Sequence, residues 1–183
     1  MINSDKNLEC CIKILLKRRS IREYKNDIVP IEIILDAINI ARYAPSAKNS
    51  QPWKFIIIND RRILNELSKL HFGAAPLRRC RLGIVVLADP RESPVSYIID
   101  ASLATLYLWL ALECMDLGAV WIQTLRKQSE IRRILDVPEV YVPVSILAIG
   151  WPNEKPKPKY LKPVHEITFL NKYGVKISNK LAF

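Results

Sequence analysis

Residues 44–55 read Ala44-Pro45-Ser46-Ala47-Lys48-Asn49-Ser50-Gln51-Pro52-Trp53-Lys54-Phe55, a small, polar loop punctuated by two prolines. It marks a change of period. Before it, Ile31, Ile34, Leu35, Ile38 and Ala41 recur at helical spacing behind Pro30, which suits a first helical turn, and Pro45 forbids continuation. After it, Phe55-Ile56-Ile57-Ile58 is a short, β-branched run that predicts a buried strand. The loop's amides and hydroxyls can meet the edge of a heteroaromatic ring by hydrogen bonds. By composition alone it is equally an ordinary helix-to-strand connection.

Toward the amino terminus, Ser4 or Asp5 is placed to cap a helix reaching about Lys17, with Leu8, Ile12, Leu15 and Leu16 on its apolar stripe. Arg18-Arg19-Ser20-Ile21-Arg22-Glu23-Tyr24 follows at once. Three guanidiniums and a hydroxyl can clamp a phosphate or an electron-rich ring. A solvated basic turn at the carboxyl end of a helix is the plainer reading.

Toward the carboxyl terminus, a charged helix is expected over residues 61–70 and a buried strand over Leu82–Ala88. From about Ser96 to Leu117 the chain is apolar on nearly every face, as expected of a central helix covered on more than one side. A membrane span is disfavoured, because Asp100 and Glu113 leave only twelve uncharged residues between them, against about 20 for a bilayer. Gly118 is placed to stop the helix, Ala119–Ile122 to form a short strand, Gln128–Leu135 a helix and Val142–Ile149 a last strand. From Gly150 onward, prolines and the lysines Lys155, Lys157, Lys159 and Lys162 predict an extended arm, 150–183, that needs a surface to lie on. With no internal repeat and no linker, one domain over 1–183 is expected.

Several classes drop out on composition. Gly73, Gly83, Gly118, Gly150 and Gly174 are too dispersed for a dinucleotide fingerprint or a P-loop. His71 and His165 belong to no zinc motif and there is no G-x-S-x-G elbow, so neither a metal site nor a serine hydrolase is expected. Cys10, Cys11, Cys80 and Cys114 lack metal or redox spacing and read as reduced thiols. Asp5, Lys6, Glu9 and Lys13 interrupt any secretory h-region, so a cytoplasmic location is expected. The net charge of +10 invites an anionic partner without choosing between nucleic acid, a phosphorylated cofactor and an acidic surface.

The two singled-out segments together resemble the nitroreductase family of flavoproteins, with R-R-S-x-R-x-[FY] near the amino terminus and P-S-x-x-N-x-Q-P-W about thirty residues later. The likeness continues through the Asp100–Leu117 helix, Leu117-Gly118-Ala119-Val120-Trp121-Ile122 and Gly150-Trp151-Pro152. It implies an α+β, three-layer α/β/α fold with a mixed, mainly antiparallel sheet flanked by helices, in an intertwined homodimer with an extended C-terminal arm. It implies FMN as cofactor, with Arg18, Arg19, Ser20 and Arg22 of one subunit on the phosphate, ribityl chain and pyrimidine edge. Pro45, Ser46, Ala47, Asn49 and Gln51 come from the other subunit. Trp121-Ile122-Gln123-Thr124 stands where the family lays backbone on the flavin ring, with an amide toward N5; read without the resemblance it is a strand end. Lys159 matches one member of a basic pair in the tail, Leu161 stands where arginine is common for the other, and Lys162 is the candidate substitute, a departure from the family pattern.

A dimer interface also explains a helix apolar all round. The implied activity is hydride transfer from NADH or NADPH through FMN to a nitroaromatic, quinone or similar flat acceptor, by ping-pong turnover with no protein acid–base pair. Arg78, Arg79 and Arg81 are candidates for a donor 2′-phosphate or plain surface charge. Other flavin chemistry on the same fold (dehalogenation, azoline oxidation, flavin destruction) is the nearest alternative. A flavin carrier without turnover and a colourless, salt-sensitive nucleic-acid-binding module are the others.

Overall fold

The computed structural model describes residues 6–177, with side chains from residue 12 on. The expected cap at Ser4 or Asp5 lies outside the described residues, and the side chains of Leu8, Cys10 and Cys11 lie outside those described. Helix α1 (Lys6–Lys17) is followed by α2 (Ile31–Ala41), β1 (Trp53–Ile58), α3 (Arg61–Leu67), β2 (Leu82–Ala88) and α4 (Tyr97–Cys114). Then come β3 (Gly118–Gln123), α5 (Gln128–Leu135), β4 (Val142–Gly150) and a short α6 (Val164–Ile167). Two 3-10 segments, Ala47–Asn49 and Phe72–Arg78, fall in the loops.

The strands form one sheet in the order β1-β2-β4-β3, every named pair antiparallel. A parallel bridge of Ser20 to Ala119 adds the chain after α1 to the outer edge of β3, which makes the sheet mixed but mainly antiparallel. Alternation along the strands sorts the core into two layers. Ile84, Val86, Leu147 and Ile149 meet Ile34 and Ala37 of α2 and Ala104, Leu108 and Leu112 of α4. Val85, Leu87, Ile146 and Ala148 meet Leu64 and Leu67 of α3, Leu77, and Ile131 of α5. A register shift opposite Val86 and Leu87 lets Ser145 face α4, where its Oγ lies 2.8 Å from Thr105 Oγ1, both buried.

Several expectations are corrected. Strand β1 starts two residues before Phe55, at Trp53, and is a half-buried edge rather than a fully buried strand. The helix over residues 61–70 stops at Leu67, capped at its start by Asp60, whose carboxylate accepts from the Arg62 amide. Leu15, Leu16 and Leu35 are exposed on the single chain. Helix α4 ends at Cys114, and Asp116, with φ 58°, takes the left-handed position, not Gly118. Helix α4 is long and apolar enough to cross a membrane by length and composition, yet Asp100 and Thr105 are buried in it and it packs on α2 and the sheet.

Gly118 and Gly150 face each other in the β3–β4 register. A Cβ on Gly118 would lie 2.8 Å from three side-chain carbons of Ile21, and one on Gly150 would lie 2.9 Å from the Tyr24 ring. The paired glycines thus make the shelf on which residues 18–24 cross the end of the sheet. The Ile21 amide donates to the Ala119 carbonyl at 3.0 Å. The Tyr24 hydroxyl sits 2.5 Å from the Ile21 carbonyl and 2.9 Å from that of Ala148. Burial, with the Cys80 thiol beside it, pushes the Tyr24 phenol above its ordinary range.

Candidate functional site

Because Ile21 and Tyr24 face inward, Arg18, Arg19, Ser20 and Arg22 are left at the surface or half-buried. Their side chains have different fates. The Arg18 guanidinium lies over Trp109, 4.2 Å from the ring centroid. Arg19 Nη1 turns back to donate to the carbonyls of Leu16 at 2.9 Å and Arg18 at 3.1 Å, capping the end of α1. It also lines a cavity of about 360 Å³ with Lys17, Glu113, Asp116 and Glu154. Arg22 is exposed, and its Nη1 lies 3.4 Å from the Ser20 carbonyl. The amides of Arg22 and Glu23 donate to Glu154 Oε1, the second at 3.2 Å.

Lys159 comes within electrostatic reach of Arg18 and Arg19: partial burial, then those two cations, hold its ammonium below the usual lysine range. Glu113 faces the same group. Burial raises its carboxyl, while Lys17, Arg18 and Arg19 pull the other way, and it forms no ion pair among the described residues. Lys162 and Leu161 are exposed.

Residues 45–51 form a second, separate cluster. Lys48, Asn49 and Gln51 have φ of 52°, 56° and 48°, three non-glycine residues in the left-handed region. Such conformations cost roughly 1–3 kcal/mol each and persist where the surroundings fix them. Here Ser46 Oγ accepts from the Gln51 amide at 3.0 Å, and the Ala47 amide donates to Asp100 Oδ1 at 3.2 Å. Ser93 Oγ donates to Asp100 Oδ2 at 2.7 Å. Pro45, Ala47, Asn49 and Gln51 are exposed, with the Asn49 and Gln51 amides 3.3 Å apart. Ser50 Oγ is buried with no hydrogen-bond partner among the described residues. Asp100 is the residue that sequence reasoning passed over here: it counted only as a charge against a membrane span.

At the end of β3, Ile122 is buried and Thr124 Oγ1 donates to the Pro143 carbonyl at 2.8 Å, so neither side chain is available to a ligand. Trp121 packs half-buried against the α4 layer. What reaches the surface is the Gln123 side chain and the backbone around it. His71 Nε2 lies 3.0 Å from the Gln123 carbonyl, and His71, Gln123, Arg126 and Lys127 line an open cavity of about 440 Å³. His71 and Arg126 carried no sequence signal, since only the fold brings them to β3. Of the three arginines considered for a 2′-phosphate, Arg79 pairs with Glu23 at 3.2 Å and Arg81 Nε donates to the Asn26 carbonyl at 3.0 Å. They brace the 22–26 segment.

The two clusters stand at opposite corners of one sheet. Ser20 is at the level of Ala119, Ile149 and Leu82 on the outer edge of β3, whereas Trp53 is at the level of Ala88 on the other edge. Four strand spacings across and six residues along separate them by about 28 Å. Between them runs α4, with Asp100 near one cluster and Trp109 near the other. Ile99, Leu106 and Tyr107 are exposed along it. In the tail, Tyr160, Leu161, Val164, Ile167 and Tyr173 are exposed as well.

The family model described as Nitroreductase family matches residues 15–87 and 73–151. A protein of Archaeoglobus fulgidus, provisionally named NADH dehydrogenase/NAD(P)H nitroreductase, is 34% identical over 154 residues, covering 81% of this chain and 88% of its own length. The FMN reductase [NAD(P)H] of Bacillus subtilis is 28% identical over 87% of this chain and 74% of its own. Among solved structures, an FMN-dependent nitroreductase from Clostridium difficile R20291 superposes with a TM-score of 0.81 at 33% identity, over 88% of this chain and 99% of that one. From the 18–24 shelf to the end of β4, the matched span contains both clusters and the helix between them, and the chain belongs to the nitroreductase family.

Proposed function

We propose that the chain is an FMN-dependent NAD(P)H oxidoreductase that works in the cytoplasm as a homodimer. It passes hydride from NADH or NADPH to a nitroaromatic, quinone or similar flat acceptor in ping-pong turnover. The observation that carries this reading is the separation of two incomplete half-sites, about 28 Å apart by strand geometry, with an uncovered apolar face of α4 between them. A two-fold pairing of those faces sets the loop of one subunit against the 18–24 shelf of its partner. Closure of the site and burial of the exposed leucines are then one event, and the exposed part of the C-terminal arm finds its surface on the partner subunit.

The residues present fit a phosphorylated flavin. Arg18, Arg19 and Lys159 converge into a cationic rim, which Lys162 would join from the tail, and burial raises the carboxyl of the nearby Glu113. Arg18 and Lys159 would hold the phosphate, Ser20 the ribityl chain and Arg22 the pyrimidine edge, where a fixed cation favours negative charge. Arg19, spent on the helix end, contributes charge more than contact. The loop side, Pro45, Ser46, Ala47, Asn49 and Gln51, would offer amides and carbonyls to the ring from the other subunit. The segment Trp121, Ile122, Gln123 and Thr124 would lay backbone on the ring, its side chains held inward except that of Gln123. Bound FMN supplies hydride acceptance and donation at N5. Donor and acceptor use the same open cleft in turn, so no glycine-rich nucleotide loop is required. The excess positive charge serves phosphorylated ligands, not nucleic acid or a membrane.

The test is spectroscopic. The purified protein should be yellow, bleach anaerobically with NADH or NADPH, and regain its band when a nitroaromatic or quinone is added. A colourless protein that refuses added FMN overturns the reading. Bleaching with recovery only by a halogenated aromatic would assign the fold's dehalogenating chemistry instead, and bleaching with no recovery by any acceptor a flavin carrier.

A further inference from the structure

We propose that Trp109 is a positioning residue for the nucleotide phosphate: its indole face carries the Arg18 guanidinium, leaving the edge donors and the full charge of that guanidinium free for an anion. The inference rests on the flavin reading above and deepens it. Arg18 stands 4.2 Å above the Trp109 centroid, and its side chain makes no hydrogen bond or ion pair with any described residue. Tryptophan gives the strongest cation–π partner of the aromatic side chains.

The neighbouring arginine shows what other supports do. Arg19 is held by carbonyls, and its Nη1 donor is thereby occupied. A carboxylate support would neutralise the charge as well as occupy the fork. A ring supports the flat face of the guanidinium and takes neither, since all five N–H groups lie in the plane of the fork. The carboxylate that does face this region, Glu113, lies one helical turn beyond Trp109 and is disfavoured as an anion by burial.

Trp109 is also poorly explained as core filler. It is 8% exposed, and its Nε1–H is buried without a hydrogen-bond partner among the described residues. Burying an unpaired donor costs stability, so a phenylalanine or leucine would fill the volume better. The indole is retained at that cost where the guanidinium rests on it. The support is rigid, because α4 packs on α2 and all four strands. Lys159 reaches the same place from the tail and adds a second cation without a partner acid among the described residues.

The experiment titrates the flavin-stripped full-length chain with FMN and with riboflavin, which lacks the phosphate, following flavin fluorescence. Trp109→Leu should raise the FMN Kd by about 2- to 30-fold, the range of a cation–π contact, and leave the riboflavin Kd unchanged. Trp109→Phe should fall between wild type and Trp109→Leu. In an Arg18→Ala background, Trp109→Leu should have no further effect on FMN. Equal weakening of both flavins, or unchanged FMN binding, overturns the proposal. If Trp109→Leu does not fold, the FMN-to-riboflavin ratio of Trp109→Phe decides in the same way. Wild-type protein that binds neither flavin would count against the flavin reading itself, and so is distinguishable from failure of the Trp109 role.

Discussion

Gly118→Ala is the sharpest test of the shelf that holds residues 18–24. Position 118 is in a strand with no positive φ, so alanine is conformationally acceptable and on backbone entropy alone would stabilise by about 0.5–1 kcal/mol. The new methyl carbon, however, would meet Cβ, Cγ1 and Cγ2 of Ile21 at 2.8 Å. Those atoms cannot swing aside as the tip of a long side chain would, because the Ile21 amide is tied to Ala119 at 3.0 Å and the side chain is buried. Overpacking of this kind costs about 1–3 kcal/mol. The steric cost wins, with a net loss of about 1–2 kcal/mol on these figures.

Urea unfolding at fixed protein concentration should show the midpoint falling by about 0.5–1 M for a slope near 2 kcal/mol/M. Ile21→Ala alone should cost about 2–4 kcal/mol as a cavity. Added to that background, Gly118→Ala should be neutral or stabilising, a coupling of about 2 kcal/mol. A Gly118→Ala midpoint equal to or above wild type would refute the reasoning. So would strictly additive single and double variants.

Asp100→Ala removes the acceptor for Ala47 and Ser93 and should cost about 3–6 kcal/mol, being two hydrogen bonds to a carboxylate; weakened FMN binding by the fraction that remains folded would confirm that it holds the loop. Leu106→Glu on the uncovered face of α4 should convert dimer to monomer in sedimentation at micromolar protein and bleach the preparation of flavin, whereas a dimeric, yellow variant would remove α4 from the interface. Burial raises the Cys80 thiol from 9.0 to about 11, so its protonated form is favoured by folding. That contribution is fully present below about pH 9 and is lost as pH rises through about 11, at most about 2–3 kcal/mol for a shift of this size. Cys80→Ala should flatten the alkaline limb of a stability–pH curve measured by urea unfolding, and an unchanged limb would assign the decline to other groups. Arg91, hydrogen-bonded to Asp89, holds that carboxyl down at about 2, which favours the folded state above the ordinary carboxylate range and is lost as pH falls through about 2. Arg91→Gln should therefore move the acid-unfolding midpoint to higher pH, as followed by circular dichroism.

What the sequence exposes and what it hides follow from how local each cause is. Strand β2 is legible to the residue because it is central and buried on both faces, so Leu82–Ala88 reads as an unbroken apolar run. Strand β1 begins earlier than its β-branched core suggests because an edge strand needs only one apolar face, and Trp53 and Lys54 extend it by pairing with Ala88 and Leu87. The end of α4 was misplaced by three residues because Asp116 adopts the left-handed conformation expected of a glycine, while Gly118 serves a steric need set by Ile21, nearly a hundred positions away. The two site segments were visible as motifs, yet nothing in them says which arginine faces an anion. The fold alone distinguishes Arg18, laid over Trp109, from Arg19, turned to the carbonyls at the end of α1.

Helix α4 joins these points. Its all-round apolarity predicts cover on more than one side, and the folded chain covers only part of it, leaving Ile99, Leu106 and Tyr107 exposed. Asp100, near its start, fixes the loop cluster, and Trp109, nine residues on, supports Arg18. At 1.5 Å per residue the two are about 14 Å apart along the axis. In the proposed dimer, an antiparallel pairing of two such helices would set the Asp100 end of each beside the Trp109 end of the other and so bring each loop toward the opposite shelf. The polar residues that interrupt the helix are therefore where the geometry needs them: an acid where strained backbone must be held, and an indole where a cation must be held without being neutralised.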